Sequence, residues 1–291
     1  MSALKLPETG RIAGIVTTSE LVTAGLSDRQ IRCLVRLGDL HLVARGVYAD
    51  GAKARDMLEL RGGRQLLELA ATVAAVGPRA IVSHESAAYL HTIDLLAWPD
   101  GAASLTYPPL RTGRPRAGVR LHAATVPPEQ ITSVVGLRVT TPGRTVVDLA
   151  RTLEFRAGVV AADSALHKRL VTKPELQAVL GTCSQWRGAR RAAEVIAFAD
   201  VRAESPLESI ARVAFSGCGL PPPELQVWLG GTIEPIGRVD FYEVVHFTWD
   251  QISNSPERVA ASVRAAFRRG VRNATRPGRP DSLPLPASAR S

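Results

Sequence analysis

Arg29, Arg32 and Arg36 stand at i, i+3 and i+7 along one short predicted helix, Asp28 to about Leu37. Helical spacing puts their guanidinium groups on one face, opposite Ile31, Leu34 and Val35. A guanidinium bonds guanine O6 and N7 in bidentate fashion, or clamps a phosphate. The chemistry open to this trio is therefore recognition of duplex DNA. Ser27 and Gln30 at the helix start, and Arg45 just beyond it, complete the candidate DNA-binding set.

These side chains need elements to hold them. Thr17 and Glu20 have the spacing of a capping box, and Ser27 and Gln30 repeat it. Gly25 ends the first predicted helix and Gly38 the second, both in positions suited to a left-handed turn. Leu40 to Tyr48 reads as a β-hairpin with Arg45 and Gly46 near its turn, a wing that would bring Arg45 and His41 near the phosphate backbone. Two capped helices and a hairpin in this order form the layout of a winged helix-turn-helix. The plain alternative is a solvated arginine face, with Gln30 used up in its own capping box.

Val16-Thr17, Ala24 to Ser27, Gln30-Ile31, Val35 and Gly46 to Tyr48 resemble the N-terminal winged helix-turn-helix of the AbiEi family. Those proteins are antitoxins of type IV toxin–antitoxin systems. The resemblance implies autorepression of transcription and counteraction of a nucleotidyltransferase-type toxin encoded beside the gene.

The chain has 291 residues, a net charge of +9 and 45% hydrophobic residues, enough for two or three packed domains. A basic balance suits an anionic partner. Much of it sits at the end, however: seven arginines face one aspartate between Arg264 and Ser291. That segment attracts phosphate without reading sequence. Cys33, Cys183 and Cys218 are too far apart for zinc-finger spacing, and an odd count argues against a disulfide framework. The first ten residues lack a signal peptide's apolar core, and no run reaches membrane-spanning length. A cytoplasmic protein with no membrane partner is expected.

Residues 54–201 read as a mixed α+β domain. Helix is expected over Met57 to Val76, then from a Ser83 cap to about Ile93. Strands are expected at Ser104–Tyr107, Val119–Ala123 and Leu137–Thr140. Thr141-Pro142 opens a helix, and Phe155–Leu166 and Lys173–Leu180 give two more. Arg144 and Asp148 are i, i+4 and should pair. His84 and His91 share a helix face, but a metal would need ligands from elsewhere. Arg111, Arg114, Arg116 and Arg120 make a basic loop that could hold phosphate. Leu137 to Ala150 resembles the AbiEi-family middle domain, to which no chemistry attaches.

Ser205 to Arg212, Gly219-Leu220-Pro221, Gln226-Val227 and Gly237 to Phe241 resemble a small restriction-endonuclease-like domain related to very-short-patch repair nucleases. Glu208 and Asp240 match the first two metal-binding positions. The second acid and its lysine or glutamine partner are missing, as if that stretch were deleted. Metal-assisted hydrolysis needs convergent carboxylates and a positioned base. Glu208 can also serve as the reciprocal member of a capping box with Ser205. These two acids are vestigial candidates only.

The expected architecture is α+β. A winged helix-turn-helix (1–53) precedes the mixed domain (54–201), a degenerate endonuclease-like module (202–270) and a disordered basic tail (271–291). The expected function is a DNA-binding transcriptional regulator, an antitoxin that represses its own promoter. It is not an enzyme and needs no cofactor or metal. Its partners are operator DNA, a cognate toxin and a second copy in a homodimer. The alternatives are a Mg²⁺-dependent DNA-nicking nuclease and an antitoxin that binds protein rather than DNA.

Overall fold

The computed structural model describes residues 10–97, 101–108, 118–220, 227–230, 235–239 and 248–274. The chain divides into two compact units, Met1–Pro206 and Leu207–Ser291.

The first unit opens with β1 (Val16–Thr17), α1 (Thr18–Thr23) and α2 (Asp28–Leu37), followed by β2 (Leu40–Ala44) and β3 (Val47–Asp50). Both expected capping boxes form: Thr17 with Glu20, and Ser27 with Gln30. Gly38 closes α2 with φ of 81°, a backbone that glycine adopts without the clash a Cβ brings. The three strands lie in the order β1-β3-β2, all antiparallel.

Strand alternation in β3 serves two cores. Tyr48 packs against the small cluster of Val16, Leu21, Leu26, Ile31 and Leu40 that holds α1 and α2. Val47 and Ala49 join a larger core with Leu67, Val82, Leu105 and Val139. Fully burying a side chain such as Leu21 or Ile31 contributes roughly 2 kcal/mol.

Next come α3 (Gly51–Glu59) and α4 (Gly63–Val76). The apolar spacing predicts one helix from Met57 to Val76. The chain instead breaks at Gly62, whose φ is 80°, and α4 restarts there. The start of α3 is set by Asp50, whose carboxylate accepts from the Ala52 and Lys53 amides.

A five-stranded mixed sheet follows, in the order β6-β5-β4-β8-β7. Its strands are β4 (Ile81–Val82), β5 (Ala103–Tyr107), β6 (Val119–Ala123), β7 (Ile131–Val134) and β8 (Leu137–Thr140). Two strands of this sheet, β4 and β7, are not expected from sequence, because they are short or weakly patterned. The unit is completed by α5 (His84–Leu90), α6 (Pro142–Thr152), α7 (Phe155–His167), α8 (Lys173–Thr182) and α9 (Ala189–Phe198). Ser83 does not cap α5 as expected. Its hydroxyl accepts from Thr106 Oγ1 at 2.8 Å and lies 3.0 Å from His84 Nδ1.

The second unit contains α10 (Pro206–Gly217), an antiparallel pair β9 (Val227–Gly230) and β10 (Pro235–Val239), α11 (Trp249–Asn254) and α12 (Pro256–Ala274). Ile210, Phe215, Leu220, Ile252 and Val259 are buried. The last helix runs through Gly270 to Ala274, so residues 271–274, expected to belong to the disordered tail, are helical, and residues 275–291 lie outside the described residues. One glycine in a helix costs about 1 kcal/mol, which flanking helix formers can offset. No helix among the described residues is long and apolar enough to cross a membrane.

Candidate nucleic-acid interface

On α2, Ile31 is buried and Leu34 and Val35 pack against the small core. At 3.6 residues per turn, Arg29, Arg32 and Arg36 fall within an arc of about 60° on the far side. Arg29, Arg32 and Arg36 are exposed, and none forms an ion pair within the described residues. Cys33, also exposed, borders the same arc.

Ser27 and Gln30 are exposed but occupied. Gln30 Oε1 accepts from the Ser27 amide at 2.9 Å and from Ser27 Oγ at 2.7 Å, and Ser27 Oγ accepts from the Gln30 amide. Arg45 is exposed at the β2–β3 turn and makes no ion pair within the described residues. The turn itself is tied to α1, because Thr18 donates through both its amide and its hydroxyl to the Gly46 carbonyl. A second tie fixes the start of α1: Arg11 pairs with Glu20 at 2.8 Å. Burial tends to raise the Glu20 pKa, but hydrogen bonds from Arg11 and Thr17 bring it below the ordinary value.

Sequence reasoning misses Arg55. It lies exposed on α3, and its Nη1 donates to the Gly38 carbonyl at the end of α2. The signal that could have found it is Asp50, a helix N-cap directly after the hairpin. A helix started there carries Arg55 on its second turn and turns Ala54 into the core.

The remaining candidates lie elsewhere. Arg120 pairs with Glu85 at 3.0 Å, whereas Arg111, Arg114 and Arg116 lie outside the described residues. His84 and His91 do separate work. His84 opens α5 with φ of 50° and stacks on His122, ring centroids 3.5 Å apart. Burial, then the neighbouring His122, push its pKa down to about 3. His91 Nε2 lies 2.7 Å from the Thr140 carbonyl. Of the two vestigial acids, Glu208 is buried on α10, and Asp240 lies outside the described residues. Among the described residues no group of three or more His, Cys, Asp or Glu could hold a metal ion.

A buried polar cluster of the first unit surrounds Arg144. It donates to Asp148 at 2.7 Å and to Gln130 Oε1 at 2.9 Å, and its guanidinium lies 4.7 Å from the Trp186 ring centroid. Arg151 holds the other Asp148 oxygen at 3.0 Å and also lies over Trp186.

This arrangement falls inside residues 79–198, which match the family model of the AbiEi antitoxin C-terminal domain. Two curated sequences, Uncharacterized protein MT2308 and Uncharacterized protein Rv2248, come from two strains of Mycobacterium tuberculosis. Each is 32% identical over 216 residues, 74% of this chain and 74% of the relative. The chain belongs to one family with these mycobacterial proteins. The AbiEi domain supports an antitoxin role in a toxin–antitoxin system. The crystal structure of RV2827C protein from Mycobacterium tuberculosis is also similar, at 20% identity and a TM-score of 0.41. The match covers 68% of this chain and 74% of that one.

Proposed function

We propose that this AbiEi-domain protein is a DNA-binding transcriptional regulator, an antitoxin that represses its own promoter. Its 1–53 segment is read as a winged helix-turn-helix, with α2 as the recognition helix. The observation that carries the reading is the exposed arc of Arg29, Arg32 and Arg36, without ion pairs among the described residues, on a helix capped at both ends. A helix of about 10–12 Å diameter fits a major groove about 12 Å wide. Arginines on its outer face then meet base edges and phosphates. Arg45 at the hairpin turn supplies a backbone contact.

The test is binding of a fragment from the gene's own upstream region at fixed salt. Replacing Arg29, Arg32 and Arg36 together by Ala should weaken binding by roughly 100-fold or more, since each bidentate base contact is worth about 1–3 kcal/mol. Unchanged affinity removes α2 as the reading element.

A further inference from the structure

Arg55 is placed beside α2 by a close approach of two helices. Gly51 begins α3, and a Cβ there would run into the Gly38 carbonyl oxygen. The residue four positions on lies on the same helical face. That residue is Arg55, and its Nη1 reaches the same Gly38 carbonyl at 3.3 Å. The end of a helix carries partial negative charge, which favours a cation there.

One N–H of the guanidinium is thus used as an anchor, out of five. The side chain is exposed and forms no ion pair within the described residues, even with Asp39 next to Gly38. It borders a cleft of about 310 Å³ whose lining includes Val35, Leu40, His41 and Leu42. Arg55 and His41 are the polar side chains of that lining.

We propose that Arg55, with His41, clamps a backbone phosphate of duplex DNA beside the recognition helix. The inference rests on the reading of α2 given above. A helix filling the major groove leaves little lateral room, so a cation standing next to it, on another element, meets the phosphate row rather than base edges. Its anchored guanidinium is held in place for that contact.

The experiment starts from the duplex that the wild-type protein selects from a randomised pool, compared with a scrambled duplex of equal length. Arg55→Ala should weaken both by a similar factor, about eightfold near 0.1 M salt. It should make the plot of log affinity against log salt shallower by about 0.9. Arg55→Lys keeps the charge and should retain most of that slope. The selected sequence should stay the same. An unchanged slope in Arg55→Ala, in protein whose melting midpoint matches wild type, overturns the clamp. So does a loss confined to the selected duplex. Wild-type protein that binds no duplex overturns the regulator reading itself, and the clamp with it.

Discussion

Arg144 Nε donates to Asp148 Oδ2 at 2.7 Å, and both side chains are only 1% exposed. The i, i+4 spacing on α6 brings them together, and the surrounding elements bury them. Gln130 and Trp186 supply further contacts to the guanidinium, and Arg151 holds the second carboxylate oxygen.

Such a pair is costly to break from one side. Asp148→Asn should destabilise the protein by about 3–5 kcal/mol, because the Arg144 charge stays buried without its partner, whereas Arg144→Met should cost less, because Arg151 still pairs with Asp148. Replacing both by apolar residues should lose less than Asp148→Asn alone. Urea unfolding of the four proteins measures this, and a double variant weaker than both singles would contradict it.

Acid should destabilise the protein before its carboxylates titrate. An unfolded histidine titrates near pH 6.5, while folded His84 resists protonation to about 3. The unfolded state therefore binds the extra proton as pH falls through this window. The His84 contribution to stability is intact above about pH 6.5 and falls by up to roughly 1.4 kcal/mol per unit below it. His91 and His122, also lowered chiefly by burial, act in the same direction. Denaturation measured from pH 7 to pH 5 should show the decline, and His84→Asn should flatten it.

Gln30 should behave as a capping residue. Ser27→Ala is expected to lose about 1 kcal/mol of stability. Gln30→Ala should lower stability too, while leaving the preferred DNA sequence unchanged, since Gln30 Oε1 is already held by Ser27. A changed sequence preference in Gln30→Ala would return this residue to the base-reading set.

Cys33 offers a footprint of the proposed interface. It is exposed beside the arginine arc, whereas Cys183 is buried. Alkylation of Cys33 should slow several-fold when duplex DNA is bound, with Cys183 unreactive throughout. Equal rates with and without bound DNA would place the duplex on another surface.

The sequence by itself determined the local features: two capping boxes, the Gly38 stop, the boundaries of α2, the start of α6, and the Arg144–Asp148 pairing. Each depends on residues within a turn or two of one another, where cap chemistry and helical period act directly. Tertiary structure decided what depends on distant partners. It broke the Met57–Val76 stretch at Gly62, drew the Ser83 hydroxyl to Thr106 and stacked His84 on His122. It also buried the Arg144 pair and set Arg55 against the end of α2. Those outcomes come from packing between segments far apart in the chain, a relation that neither spacing nor propensity encodes.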